Sequence, residues 1–124
     1  NPAGGAAIAQ TLGELEERAP KPVGLVLGML DSKDAAGFLA PFTGLVRHVR
    51  TVPIAGTEAA QDTTALAGVA SNMGLAALPA ADVESAVLEL LAAEATPIRI
   101  LICGSLYLAG QVLAQQEGVQ AQAN

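Results

Sequence analysis

Residues 97–108 read PIRILICGSLYL, and the fold follows from them. Ile98, Ile100, Leu101, Ile102 and Cys103 form an almost unbroken apolar run rich in β-branched side chains. Such a run suits a strand covered on both faces inside a parallel sheet. Pro97 opens it, where a missing N–H costs least. Gly104 and Ser105 close it, and a helical pattern follows at once through Leu106, Leu108, Val112 and Leu113. A strand that passes through Gly-Ser into a helix leaves backbone N–H groups unpaired at the helix start, with a hydroxyl beside them. That geometry suits a carboxylate or phosphate. It equally suits an ordinary serine N-cap on an α/β crossover.

Upstream, the same alternation of short apolar runs and helical patterns repeats. Ile8, Leu12 and Leu15 fall at i, i+4 and i+7 on one face of a helix opened by Asn1 and Pro2 and ended before Pro20. Residues 23–29 (VGLVLGM) read as a buried parallel strand. Residues 30–34 (LDSKD) lead into a helix with Phe38, Leu39, Phe42 and Leu45 on one face, which Pro41 kinks or breaks. Asp31 or Ser32 can cap that helix, with Asp34 in its positive first turn. Lys33 is out of place there, because a cation opposes the helix dipole. Either solvent takes it, or it faces an anion across the sheet edge.

Residues 49–54 (VRTVPI) alternate apolar and polar, as in a strand nearer an edge, and His48 reads as a surface residue at its start. A loop at residues 55–62 precedes a modest helix over residues 63–72, which Gly74 caps, and a short strand at residues 75–78. Asp82 caps a helix with Val83, Val87, Leu90 and Leu91 on one face. The last helix spans residues 106–116, and residues 118–124 form a frayed tail after a domain of residues 1–117. The order α-β-α-β-α-β-α-β-α closes most simply as a parallel sheet with helices on both faces. Ligands of such sheets gather beyond the strand carboxyl ends, which brings Lys33 and Ser105 to one edge.

Composition narrows the function. Apolar residues make up 52% and aromatics 2%, with no Trp, so the core is built from small and aliphatic side chains. A net charge of −6 with only six Lys and Arg, and no basic run, argues against nucleic acid. One Cys and one His exclude an internal disulfide and a zinc-ligand spacing, and point to the cytoplasm. No apolar run reaches the length of a membrane span. Walker A, G-x-G-x-x-G, G-x-S-x-G and H-E-x-x-H motifs are all absent. The chain opens on Asn1-Pro2-Ala3-Gly4-Gly5 without an initiator Met and enters a helix directly. An α/β domain usually opens on a strand, so the expectation is a piece of a longer protein.

Three segments carry a resemblance: residues 27–34 (LGMLDSKD), 52–57 (VPIAGT) and 102–113 (ICGSLYLAGQVL). In order and spacing they are similar to bacterial folylpolyglutamate synthase/dihydrofolate synthase, a member of the Mur ligase superfamily, and Asn1-Pro2 resembles the end of that family's Asp-Gly-Ala-His-Asn-Pro motif. The resemblance implies a three-layer, Rossmann-like C-terminal domain lacking its first strands. Its sheet would place the CGS strand beside the GML strand, then VPI, then the strand at residues 75–78. It also implies an ATP-dependent ligase that adds L-glutamate to dihydropteroate or folate through an acyl phosphate, with ATP and Mg bound mainly by an N-terminal domain. By position, Lys33 would meet a glutamate carboxylate or a phosphate, and Ser105 with the N–H groups of Leu106 and Tyr107 would hold the glutamate. Asp34 and Gly104 would support them, and Asn1 would lie near the nucleotide. No catalytic or metal-binding residue is implied here, and without a P-loop the chain alone should be inactive.

The sequence departs from the family at Glu58-Ala59, where many relatives carry a basic residue. A stand-alone binding module and a Mur-type peptidoglycan precursor ligase domain are the alternatives. If the first strands are missing, residues 98–103 present an apolar edge through which the chain should self-associate.

Overall fold

Residues 2–103 are described by the structure, a computed structural model. Helix α1 (Pro2–Arg18) leads to strand β1 (Val23–Leu27), helix α2 (Ala35–Leu39), strand β2 (His48–Thr51) and helix α3 (Thr63–Asn72). Strand β3 (Ala76–Pro79), helix α4 (Val83–Ala93) and strand β4 (Arg99–Cys103) follow. The four strands form one sheet in the order β3-β2-β1-β4, with every pairing parallel. This is the α/β architecture, and the strand order, that the resemblance implies. In register, Leu25 of β1 stands between Val49 of β2 and Leu101 of β4.

Alternation along β1 divides the core in two. Val23, Leu25 and Leu27 point to one face, where Ala9 and Leu12 of α1, Phe38 and Leu39 of α2, and Leu66 and Ala70 of α3 cover them. Val26 points to the other, packing with Ala86 and Leu90 of α4, Val52 and Ile54. Two glycines permit close approach. A Cβ on Gly24 would lie 3.0 Å from a Leu90 methyl and 3.1 Å from the Ile98 Cδ1. One on Gly5 would sit on the Phe38 carbonyl oxygen, so α1 rests against the backbone of α2.

Several sequence expectations need correction. The apolar run at residues 98–103 suggested a strand inside the sheet, but β4 is half-buried throughout and forms one edge of the described sheet, the end position that the resemblance gave it, whereas all of β1 is buried. Apolarity alone cannot distinguish the two, because both runs can be covered on two faces. Nor does β2 alternate buried and exposed. Arg50 and Thr51 are both buried, because Glu89 and the Val49 carbonyl accept from the Arg50 guanidinium and the Thr51 hydroxyl donates to the Thr63 carbonyl. The buried stripe of α1 is Gly5, Ala9 and Leu12, with Leu15 exposed, and Leu91 of α4 is likewise exposed. Asp34, not Asp31 or Ser32, caps α2, accepting from the Gly37 N–H at 2.9 Å.

Other expectations match. Pro41 ends α2 in a 3-10 turn at Ala40–Phe42, and α3 covers the predicted residues. Gly74, at φ +89°, turns the chain after α3 as only a residue without Cβ does easily. Asp82 caps α4 through the Ser85 N–H at 2.7 Å. The expected last helix and the tail at residues 118–124 lie outside the described residues.

Candidate functional site

The loops that follow β1 and β2 meet at the carboxyl edge of the sheet. Leu30 and Ala60 form an antiparallel bridge between them. The Asp31 N–H donates to the Ala59 carbonyl at 2.6 Å, and the Gln61 N–H to the Met29 carbonyl at 2.8 Å. The Gln61 carboxamide then reaches back, donating to the Leu30 carbonyl at 2.9 Å and the Lys33 carbonyl at 3.1 Å. A tight turn from Leu30 to Lys33 closes through the Lys33 N–H, 3.1 Å from the Leu30 carbonyl. Asp34 then caps α2. Lys33 thus stands exposed on a short loop whose backbone is tied at each end.

Charge is divided between the two ends of the sheet. At the amino end, the Glu94 carboxylate accepts from Arg47 at 3.1 Å and His48 at 3.0 Å, and Arg99 lies 3.6 Å from Glu16. His48 therefore is a half-buried partner of Glu94 at the start of β2, remote from the carboxyl-edge loops. Arg50, within β2, is matched by Glu89 of α4 at 3.1 Å. Arg18 and Lys21 complete the six Lys and Arg and also lie at the amino end, around the junction of α1 and β1. Lys33 is the one Lys or Arg on the carboxyl edge, and it takes no part in the ion pairs among the described residues.

Cys103 ends β4 beside Leu27, its carbonyl accepting from the Gly28 N–H at 3.2 Å. Burial pushes its thiol up to about 12, so it stays protonated at neutral pH and is no nucleophile. Pro2 lies against α2, with its Cγ 3.1 Å from where a Cβ on Gly37 would stand. The start of α1 therefore shares the carboxyl edge with Lys33 and Asp34. Asn1, Gly104, Ser105, Leu106 and Tyr107 themselves lie outside the described residues. No group of three or more His, Cys, Asp or Glu that could hold a metal ion occurs among the described residues. No described helix is long and apolar enough to cross a membrane.

Sequence reasoning missed Gln61 and Glu94, both of which act on residues distant in the chain. Neither contact leaves a periodic trace. Asp62, which caps α3 through the Ala65 N–H at 3.0 Å, was open to detection as an aspartate directly before a helical run.

No family model matches the chain, and no curated protein matches it in sequence. Solved structures do. Ligand-free bifunctional folylpolyglutamate synthase/dihydrofolate synthase from Yersinia pestis superposes with a TM-score of 0.77 at 26% identity, over 94% of this chain and 27% of that one. Folylpolyglutamate synthase of Mycobacterium tuberculosis, complexed with ADP and AMPPCP, gives 0.75 at 28% identity over 93% of this chain and 27% of that one. In fold the chain is similar to one part of these folylpolyglutamate synthases. The Yersinia pestis enzyme complexed with AMPPNP and Mn ion also matches, at 0.74 and 25% identity over 94% of this chain and 27% of that one. The chain spans about a quarter of the length of these solved structures.

Proposed function

We propose that residues 1–117 form the C-terminal domain of a cytoplasmic, ATP-dependent ligase that adds L-glutamate to dihydropteroate, to a folate, or to both. The reaction activates a pteroate or folate carboxyl as an acyl phosphate, which the glutamate amine then attacks. In this reading the domain supplies contacts rather than a catalytic group. The Lys33 ammonium pairs with a glutamate carboxylate or a phosphate. Ser105 and the backbone N–H groups of Leu106 and Tyr107 hold the glutamate, with Asp34 and Gly104 as support, and Asn1 lies near the nucleotide. ATP and Mg belong mainly to another domain in this reading.

The observation that carries this reading is the placement of Lys33 as the one Lys or Arg at the carboxyl edge, where α/β sheets bind ligands. The match to ligases complexed with AMPPNP and Mn ion or with ADP supports the nucleotide-dependent chemistry. Two assays test it. The purified chain should hydrolyse no ATP above background, and turnover there would contradict the division of labour. The gene's complete product should join glutamate to dihydropteroate or folate, and activity on UDP-linked muropeptides instead would replace this substrate class with a cell-wall one.

A further inference from the structure

We propose that Gln61 is the positioning residue of the Lys33 loop. The proposal rests on the reading of Lys33 as the cation that meets an anionic substrate group. A carboxamide nitrogen has two N–H donors, and here they go to two carbonyls of the same turn: Leu30 at 2.9 Å and Lys33 at 3.1 Å. Both partners are acceptors, so only the nitrogen end of the side chain fits. Gln61 is itself anchored. Its own N–H is held by the Met29 carbonyl, and the next residue, Asp62, caps α3. The loop after β2 therefore sets where the Lys33 backbone stands.

This matters because Lys33 carries a long side chain in solvent. An ammonium on a mobile loop must lose backbone as well as side-chain freedom when it grips a ligand. Tying the Lys33 carbonyl, with the Lys33 N–H already in the turn, removes the backbone part beforehand. Gln61 touches no ligand in this scheme; it acts through Lys33.

The test compares the 124-residue chain with Gln61→Met, which keeps the length of the side chain and removes both donors, and Gln61→Glu, which sets carboxylate oxygens against two carbonyls. Amide hydrogen exchange at Asp31 and Lys33 reads the order of the loop, and a titration with L-glutamate reads binding. In both variants exchange at those amides should accelerate while the amides of β1 stay protected, and glutamate should bind about tenfold more weakly, the equivalent of one lost hydrogen bond. Unchanged exchange in both variants overturns the proposal, as does a loosened loop with unchanged affinity. Faster exchange in the variants, with no glutamate binding even by the parent chain, supports the positioning role and instead sinks the glutamate reading of Lys33.

Discussion

Strands β1 and β4 lie side by side in register and have nearly the same apolar composition, yet the protein uses them differently. VGLVL of β1 is buried on both faces, with Leu25 and Val26 fully inaccessible, while RILIC of β4 is half-buried at every position. The difference comes from neighbours. Strand β1 has a strand on each side, three helices on one face and α4 on the other. Strand β4 has β1 on one side only among the described residues. Its Arg99 N–H and Cys103 carbonyl bond toward β1, so the backbone groups of Ile98, Ile100 and Ile102 turn outward. A strand's place in a sheet is a property of what surrounds it.

Truncating the same residue type in each strand gives the largest contrast. Leu25→Ala should destabilise the chain by about 2–5 kcal/mol, the range for a fully enclosed leucine. Leu101→Ala, on its register partner, should cost roughly half as much, since less area leaves water on folding. Urea denaturation of both variants measures the gap, and equal losses would show that β4 is as enclosed as β1.

The outward edge of β4 gives a second contrast. Among the described residues no strand pairs with the outer edge of β4, and an apolar strand edge favours strand addition, so the chain should self-associate as its concentration rises. Ile100→Pro, which removes one outward-facing backbone donor and leaves the ladder to β1 in place, should suppress this. Small-angle scattering from a concentration series would follow it, and a monomer profile throughout would break the contrast.

A smaller effect concerns the polar clasps around the well-covered strands. Hydrogen bonds from the Ser85 backbone N–H and hydroxyl hold the Asp82 carboxyl below its usual range, and the His48 side chain, followed by Arg47, does the same for Glu94 against the opposing effect of burial. For carboxyls depressed in the folded chain, the unfolded chain takes up protons at higher pH. Their contribution to stability is complete above the ordinary carboxylate range and fades as pH falls through it. Denaturation midpoints measured across that range should therefore drop on acidification, and Glu94→Gln should flatten the slope. An unchanged slope would remove Glu94 from the account.

The same comparison explains what was legible in the sequence. Local signals survived: the Asp82 cap, the break at Pro41, Gly74 after α3, and each apolar run as a strand. Parallel pairing followed from the alternation of strand and helix patterns, and the strand order came from the resemblance. The apolar run alone placed β4 inside the sheet, because Ile98–Cys103 and Val23–Leu27 look alike until their neighbours are known; the end position came from the resemblance and matches the described sheet. Arg50 and Thr51 misled for a related reason. Their burial depends on Glu89 and the Thr63 carbonyl, which no spacing announces. At the carboxyl edge, Lys33 was conspicuous as a cation against a helix start, whereas the Gln61 contacts that fix its loop join residues 28 positions apart or more.

Backbone amide NMR during a titration with L-glutamate tests the central claim most directly, that the carboxyl edge is an amino-acid subsite. Saturable shifts at Lys33 and at Ser105–Tyr107, lost in Lys33→Ala while the β1 amides stay in place, are the predicted result. Saturable shifts confined to the amino end, around Lys21, Arg47 and His48, would contradict it.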